Sequence, residues 1–257
     1  MIQNLLDRDW RGLALPLALL AVWSGVTAFE WVDIRLIVPP EKVVQAAIKY
    51  LTGKDFADAL SNSLFRDLSG FAIGSLAGVL LGLLMGLSKW AERIVGPTFN
   101  TLKLISLFAW LPLISTWLGT GDSAKILFIS LCAFYPVALN TFEGVRSIPR
   151  AQLDVARVYA FTRWQSITRL LVPGAAPQIL TGLHLALIYA WMGTIGAEFL
   201  LVNSGPGLGD TVIKGRQAFN VELIVFGMLI IGFIGALFNH VAGRIEARAL
   251  AWRGDRT

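Results

Sequence analysis

Charged residues and cysteine are both scarce in this sequence of 257 residues. Only 15% of the residues are charged, against about 25% in a typical soluble domain, whereas 55% are hydrophobic. The single cysteine, Cys132, excludes an internal disulfide and a multi-cysteine metal site, and we interpret it as a small apolar packing residue. Two histidines, His184 and His240, give little support to a clustered catalytic site.

A phosphate-binding loop is also missing. No stretch matches G-x-x-x-x-G-K-[ST], the pattern whose backbone amides hold nucleotide phosphates. Gly53-Lys54 is followed by Asp55, and the glycine-rich stretch 205–209 has no strand before it, so we interpret that stretch as a tight turn. This chain is therefore not expected to hydrolyse ATP.

Long apolar blocks are what the sequence has instead. A helix that crosses about 30 Å of hydrocarbon needs roughly 20 mostly apolar residues. Six such blocks predict an all-α integral membrane protein with six transmembrane helices in a single domain, 1–257. The blocks cover residues 12–32, 67–87, 97–117, 124–145, 179–201 and 221–245. The first block is too long for a signal peptide and no clear cleavage site follows it, so we expect it to be retained.

The positive charges indicate how the chain crosses the membrane. Six crossings place both termini on one side. With the N-terminus inside, thirteen lysines and arginines lie in cytoplasmic segments against eight outside, and the eight include Arg66 and Lys125, next to the outer ends of the second and fourth blocks. This asymmetry favours cytoplasmic termini, because cytoplasmic loops are enriched in Lys and Arg. Topology thus explains the net charge of +5, and no basic groove with interleaved aromatic residues indicates a nucleic-acid partner.

Small residues recur in the second block. Glycine occupies every fourth position and forms one slowly winding stripe, made of Gly70, Gly74, Gly78, Gly82 and Gly86. Small side chains let two helix backbones approach closely in a membrane, so the stripe predicts a helix-packing face. A pore-lining stripe is the alternative interpretation.

The segment 146–178, between the fourth and fifth blocks, is predicted to be a cytoplasmic loop of two short helices. Pro149 suits the first turn of the first helix, where its missing N–H has no partner to lose. Thr162 and Gln165 form a capping box for a second helix that is expected to end near Pro173. Helices this short are marginal in water alone, so a partner surface is implied.

The same segment carries a spaced pattern, D-V-A-x3-A-x9-L-x-V-P, at Asp154, Val155, Ala156, Ala160, Leu170, Val172 and Pro173. It resembles the loop E-A-A-x3-G-x9-I-x-L-P in permease subunits of bacterial binding-protein-dependent ABC importers. Alanine at position 160 disfavours a positive φ, so either this turn needs no left-handed residue or its geometry differs from the family's. Stretches 36–43, 109–113 and 204–208 also resemble this family, in its nitrate, taurine, aliphatic-sulfonate and bicarbonate branch.

The resemblance implies a type I ABC importer permease fold, with cytoplasmic coupling helices between helices 4 and 5, in the bacterial inner membrane. It implies a non-catalytic subunit that pairs with a second copy, two cytoplasmic ATPase subunits and a periplasmic substrate-binding protein. The ATPase would bind ATP and Mg²⁺, with no cofactor in this chain. The solute is expected to be an organic sulfonate such as taurine or an inorganic oxyanion such as nitrate. The coupling positions carried over from the family are Asp154, Val155, Ala156, Arg157, Ala160, Leu170 and Pro173.

Polar and aromatic residues inside the predicted spans are candidates for the solute path. Ionisable side chains are costly in hydrocarbon and are therefore functional candidates, although long side chains near helix ends can also reach the interface. The candidates are Lys103, Trp110, His184 and Glu198, with Glu30 as a further ionisable residue.

Two other classes of protein stay open. A stand-alone secondary transporter often shows internal repeats and charges at the bilayer midplane, and neither feature is convincing here. A membrane enzyme would need clustered His, Asp or Glu. Co-purification of an ATPase would separate the importer from both alternatives.

Overall fold

The computed structural model describes residues 11–29, 31–33, 37–201 and 205–251. Within these ranges the chain is helical and has no β-strand. A 3-10 helix at Leu107–Trp110 precedes α5, and a π-helix at Ile167–Leu171 precedes α9. The α-helices are α1 (Arg11–Ala28), α2 (Pro40–Leu51), α3 (Lys54–Leu87), α4 (Lys89–Leu102), α5 (Leu111–Leu118), α6 (Asp122–Arg146), α7 (Arg150–Val158), α8 (Arg163–Ser166), α9 (Val172–Leu200), α10 (Leu208–Gln217) and α11 (Val221–Ala249).

Four helices of the described chain are long and apolar enough to cross a membrane. They are α3, α6, α11 and the continuous helical stretch Arg163–Leu200. A fifth crossing is formed if α4 and the apolar helix Leu107–Leu118 are one span, bent by 92°. In the first predicted block the described residues hold only the shorter apolar helix Ala14–Ala28, about 22 Å long at 1.5 Å per residue. The prediction of six spans is therefore not confirmed, and the described chain supports four or five.

The predicted third span, 97–117, is not one continuous helix. The chain leaves α4 and passes through Ser106 in an extended conformation, with ψ at 129°. Pro112 then lies in the first turn of α5, where its missing N–H costs little. The α4 half of the pair carries Glu92 and Arg93, which are costly in hydrocarbon, whereas the second half is apolar. The predicted block 97–117 therefore covers the end of one helix, which is polar at its start, and most of a second helix, which is apolar.

The other predicted blocks fall on helices with different bounds. The helices α6 and α11 coincide with blocks 124–145 and 221–245 to within four residues at each end. The second block is the latter part of α3, which begins at Lys54, so residues 54–66, which precede that block, are helical as well. The fifth block, 179–201, lies within a helical stretch that begins at Arg163.

Two compact units divide the chain, and the first joins residues up to 57 to residues 211–230. In this unit Val43 of α2 and Phe226 of α11 are buried in one apolar cluster. The Tyr50 ring packs edge-on against Phe226, with ring centroids 5.7 Å apart. Aromatic contacts of this kind stabilise beyond their buried area alone, so they hold α2 against the first turns of α11.

The second unit joins residues 58–210 to residues from 231 onward. One of its apolar clusters surrounds Phe128 of α6, which is fully buried. Cys132 is also buried there, as its interpretation as a packing residue requires. The members of this cluster are Leu111, Ile114, Ala124, Phe128, Cys132, Ala197 and Leu201.

The glycine stripe of α3 lies against α6 in this second unit. A Cβ atom added at Gly74 would stand 2.1 Å from the Ser130 carbonyl oxygen, and one at Gly82 would stand 2.6 Å from the Ala138 carbonyl oxygen. The contacted residues advance in the same direction along both helices, so α3 and α6 run parallel. The prediction that this stripe is a packing face is confirmed, because a side chain at these positions would collide with the backbone of α6.

Candidate functional site

The first candidate site is the coupling segment, which we define as residues 149–173. Pro149 stands just before α7 with φ −60° and ψ 139°, the extended geometry of a residue that precedes a helix. After α7 the Ala160 N–H donates to the Arg157 carbonyl (2.9 Å) and the Phe161 N–H donates to the Ala156 carbonyl (3.0 Å). This pair of hydrogen bonds is the Schellman motif, in which a left-handed residue satisfies the last carbonyls of a helix.

Ala160 supplies that left-handed residue, with φ at +51°. It is the position at which the family pattern has glycine, which adopts this conformation without steric cost. Of the two readings of Ala160, the structure therefore favours a turn that does require a left-handed residue. The alanine Cβ is held in a strained conformation there.

The predicted capping box is confirmed at the start of α8. The Gln165 N–H donates to Thr162 Oγ1 (3.2 Å), and the Thr162 N–H donates to Gln165 Oε1 (2.9 Å). The predicted end of this helix near Pro173 is wrong, because α8 continues through the π-helix into α9. Pro173 lies in the first turn of α9, after the wide π-turn, where a proline needs no N–H partner. The stretch Arg163–Leu200 is thus 38 residues of continuous helix.

The predicted coupling residues lie in three settings. Asp154 and Arg157 are exposed and form an ion pair of 3.0 Å within α7. Val155 and the strained Ala160 are exposed, whereas Ala156 is buried. The remaining two, Leu170 and Pro173, line a cavity of about 430 Å³ together with Gln152, near the start of α7.

Apolar side chains beside these residues are exposed in a way that the sequence reasoning missed. Val158, Tyr159 and Trp164 are 85%, 73% and 73% exposed, and Val155, which lies on α7 with Val158, is 55% exposed. We call these four residues the apolar patch of the coupling segment. Large apolar side chains that are exposed together on one short segment indicate an interaction site. The signal was present in the sequence, since Val155, Val158 and Tyr159 share one face of a helix at spacings of three and four.

The second candidate site contains Glu198, which was predicted to lie on the solute path. Glu198 is 1% exposed, and three donors satisfy its carboxylate. Ser63 Oγ and Arg66 Nη1 donate to Oε1 at 2.7 and 2.9 Å, and the Gly209 N–H donates to Oε2 at 2.8 Å. Glu198 is therefore enclosed within the helix bundle and does not line an open path in this structure.

Glu198 is the centre of a larger group, which we call the polar cluster. Arg66 Nε donates to Asp122 Oδ1 (2.7 Å), and Thr194 Oγ1 lies 2.8 Å from Asp67 Oδ1. A buried charge is tolerated only when it is paired and hydrogen-bonded, so the cluster ties α3, α6 and α9 in a fixed arrangement. Its members are Ser63, Arg66, Asp67, Asp122, Lys125, Thr194 and Glu198.

Sequence reasoning missed most of this cluster. It assigned Arg66 and Lys125 to outer segments and placed Asp67 at the edge of a span, whereas all three are at most 2% exposed. The spacing of Ser63, Arg66 and Asp67, at i, i+3 and i+4, does place them on one helix face. Their partners lie more than fifty positions away in sequence, and nothing local identifies them.

The remaining solute-path candidates do not meet in one place. His184 binds α11 through both ring nitrogens, with Nδ1 2.8 Å from Glu246 Oε2 and Nε2 2.9 Å from Asn239 Oδ1. Lys103 is exposed just after α4. Trp110 packs against the Phe128 cluster, and its buried indole N–H has no acceptor among the described residues. Glu30 lies outside the described residues.

Comparison with known proteins adds a family to this geometry. The family model described as binding-protein-dependent transport system inner membrane component matches residues 74–248. A protein named as an aliphatic sulfonates transport permease, SsuC of Bacillus subtilis (strain 168), is 32% identical over 245 residues, which cover 95% of this chain and 88% of that protein. The taurine transport system permease protein TauC of Escherichia coli (strain K12) is 29% identical, over 92% of this chain and 87% of that protein.

A solved structure shares the fold. The crystal structure of a bacterial alginate ABC transporter, in complex with a periplasmic protein that binds an alginate pentasaccharide, contains a similar chain. The TM-score is 0.65, at 17% sequence identity, over 95% of this chain and 98% of that one.

Proposed function

Because this chain belongs to the family of binding-protein-dependent transport system inner membrane components, we propose that it forms the solute path of an ATP-driven importer. We further propose that its coupling segment is where a separate ATPase subunit docks. The observation that carries this proposal is the apolar patch, formed by Val155, Val158, Tyr159 and Trp164. It is exposed on the segment that carries the family's cytoplasmic loop pattern.

The apolar patch suits a helix-in-groove contact. Two short helices present apolar side chains at helical spacing, and a groove on a partner can bury them. The exposed ion pair of Asp154 and Arg157 lies on α7 beside the patch and supplies polar contacts at its rim. Ala156 is buried and Ala160 shapes the turn, so these two position the patch rather than contact the partner.

Helix continuity supports a mechanical role for the segment. The stretch Arg163–Leu200 is about 57 Å long at 1.5 Å per residue, and it joins the capping box at Thr162 directly to the residues that surround Glu198. A displacement of the docked end is therefore passed along this helix into α9. ATP binding to the partner would shift the balance between inward-open and outward-open states only if the partner binds those states with different affinity.

The assembly that follows has several components. A second copy of this chain, two ATPase subunits and a periplasmic substrate-binding protein complete the importer, with ATP and Mg²⁺ on the ATPase. Both termini face the cytoplasm of a bacterial inner membrane. This chain contributes no catalysis, consistent with its sequence, which contains no phosphate-binding loop.

The proposed solute is an organic sulfonate such as taurine. Its support is that two relatives covering most of this chain are named for aliphatic sulfonates and for taurine. Nitrate shares the compact oxyanion chemistry and is the alternative within the same branch. Competition of taurine, an alkanesulfonate and nitrate for uptake by cells that carry the intact importer separates these solutes.

The test is recovery of the tagged chain from its native membrane, followed by identification and ATPase assay of the proteins that accompany it. The double variant Val158→Arg with Trp164→Glu places charges in the apolar patch. We expect it to lose at least nine tenths of the co-purifying ATPase, because a charge buried in an apolar groove is costly. The conservative variant Val158→Leu is the control and should retain the ATPase.

The stability of the double variant should be close to wild type, since substitutions of exposed residues usually change the free energy of unfolding by about 0.5 kcal/mol or less. Full retention of the ATPase by the charged variant would overturn the docking role of the patch. Recovery of the chain alone, with solute movement in liposomes that needs no ATP, would replace the importer by a stand-alone secondary transporter.

A further inference from the structure

A cavity of about 690 Å³ is lined by the last turns of α3 and α6 and by most of the length of α4. It takes no part in the coupling segment or in the polar cluster. Its walls combine basic side chains with apolar ones, which is the combination that an amphipathic ligand requires. All of its lining residues belong to the second unit.

The charged wall of this cavity has an excess of positive charge. Lys89, Arg93 and Arg146 line it, with Glu92 as its one acidic lining residue. Glu92 pairs with Arg146. Lys89 and Arg93 are exposed, share one face of α4 at a spacing of four, and form no ion pair with the described residues. Two cations are therefore left to bind an anion.

The other residues that line the cavity are mostly apolar. Phe99 of α4 is buried, and Phe142 and Leu139 of α6 face the same cavity. The Arg146 guanidinium stands 5.3 Å above the centroid of the Phe142 ring. This cation–π contact joins a basic and an apolar residue of the cavity lining. Gly96 also lines the cavity, and a Cβ atom placed on it would meet nothing within 4 Å. The space beside Gly96 is therefore open.

The depth of the cavity fits the boundary between hydrocarbon and headgroups. It opens where the spanning helices α3 and α6 both end, at Leu87 and Arg146. Trp90, next to Lys89, is 76% exposed, and exposed tryptophan is enriched at this boundary. α4 carries charged residues on one side and exposed apolar residues on the other, the composition of a helix that lies in the interface plane.

We propose that this cavity binds an anionic phospholipid, with the headgroup phosphate between Lys89 and Arg93 and an acyl chain along Phe99 and Phe142. The proposal requires a chain embedded in a membrane and is independent of the solute and of the ATPase. A zwitterionic lipid supplies no net negative charge for the two cations. Phosphatidylglycerol therefore binds more tightly than phosphatidylcholine.

The experiment uses the full chain, purified in detergent with the subunits that accompany it. Dioleoylphosphatidylglycerol or dioleoylphosphatidylcholine is titrated while the melting temperature is recorded, because a ligand that binds only the folded state raises it. We expect phosphatidylglycerol to give the larger rise. The double variant Lys89→Gln with Arg93→Gln should bind phosphatidylglycerol about tenfold to thirtyfold more weakly, at about fivefold for each cation removed.

A matched control is the double variant Arg244→Gln with Arg248→Gln. These two arginines have the same spacing on α11 and are also exposed, but they do not line the cavity. They should leave the phosphatidylglycerol response unchanged. An equal loss in both double variants would reduce the effect to general surface charge and overturn the proposal.

Gly96→Leu tests the apolar wall while all charges stay. The first atom of the new side chain meets nothing within 4 Å, so the leucine extends into open space beside the cavity. Because Pro97 follows and a side chain before proline is disfavoured in a helix, Gly96→Ala is the control for the effect of any side chain on the fold. We expect Gly96→Leu to lose at least half of the phosphatidylglycerol response. An unchanged response would exclude the acyl chain from the cavity. Glycerol 3-phosphate alone should give no response, and a full response to it would make the cavity a site for soluble anions instead.

Discussion

At the scale of single residues, burial decides what a charged side chain can do. Arg66 and Glu198 are 2% and 1% exposed, and each is held by several hydrogen bonds in the polar cluster. Asp154 and Arg157 form an ion pair of similar length on the surface of α7. Removing one partner should cost more stability in the buried pair than in the exposed one. A buried charge that loses its partner keeps its desolvation penalty, whereas an exposed charge is solvated by water.

A double-mutant cycle on Arg66 and Glu198 measures that difference. We expect Arg66→Met and Glu198→Gln each to lower the free energy of unfolding by about 3–5 kcal/mol, since each leaves an unmatched group in the polar cluster. The double variant should be less destabilised than the sum of the two, by at least about 1 kcal/mol. Denaturation in mixed micelles gives the free energies.

The surface pair is the comparison for this cycle. Asp154→Asn and Arg157→Gln should show a coupling energy below about 0.5 kcal/mol. A coupling in the polar cluster as small as that at the surface would contradict the account of Glu198 as a structural centre.

Ala160 offers a second residue-scale prediction. Glycine adopts a φ of +51° without steric cost, whereas valine adopts it less readily than alanine. We expect Ala160→Gly to be the most stable, followed by wild type and then Ala160→Val. The glycine variant should gain up to about 1 kcal/mol in the free energy of unfolding. Melting temperatures in one detergent give the order.

Ala151→Gly is the control for Ala160, because Ala151 is an exposed residue of α7 that lies before the turn. There glycine should cost about 1 kcal/mol relative to alanine. A glycine that destabilises the chain equally at both positions would show that the turn is not left-handed in solution.

At the scale of helices, the close contact of α3 with α6 depends on the absence of side chains. The Cβ of an alanine at position 74 would stand 2.1 Å from the Ser130 carbonyl oxygen, and backbone cannot move aside cheaply. Gly74→Ala should therefore cost about 1–3 kcal/mol and separate the two helices.

Gly232→Ala is the matched control for Gly74→Ala. A Cβ atom at Gly232, in α11, meets nothing within 4 Å, so alanine there should be neutral or stabilise the helix by up to about 1 kcal/mol. Melting temperatures compare the two variants. Equal effects at the two positions would mean that helix propensity, and not contact between helices, sets the cost.

Local patterns predicted some of these elements and failed for others. The capping box at Thr162 and the glycine stripe were predictable because each depends on spacings of three or four residues within one helix. The bend after α4 was not predictable, because a run of apolar residues does not show where one helix ends and the next begins in another direction. Pro173 was ambiguous for a related reason: proline fits the first turn of a helix as well as the end of one, and the π-turn before it depends on tertiary packing.

At the scale of the whole molecule, the charge asymmetry predicts the side on which each segment lies. Thr52 and Arg248 are both exposed, and the prediction places them outside and inside. A cysteine introduced at Thr52 should react with a membrane-impermeant maleimide in intact cells. One at Arg248 should react only after the cells are permeabilised. The wild-type chain provides the blank, since its single cysteine, Cys132, is 4% exposed.

The candidate sites differ in the same way: one is formed by residues close in sequence, and the others by residues far apart in sequence. The capping box within the coupling segment could be predicted from sequence because its two residues are three positions apart. The polar cluster was not, because Ser63 and Glu198 are 135 positions apart and only the packing of α3 against α9 brings them together. The cavity lined by Lys89 and Arg93 likewise depends on three helices that pack together. In the sequence, its positive charges predicted only which side of the membrane the segment lies on.

The polar cluster also has a consequence for synthesis, because its members leave the ribosome at different times. Arg66 emerges from the ribosome 132 residues before Glu198, an interval on the order of ten seconds at common rates of synthesis. During that interval the guanidinium has Asp122 as its carboxylate neighbour at best, and Ser63 has no Leu208 amide to accept from. A chain that stops before Gly209 leaves these groups unmatched, so the polar cluster is complete only when synthesis has passed the loop after α9.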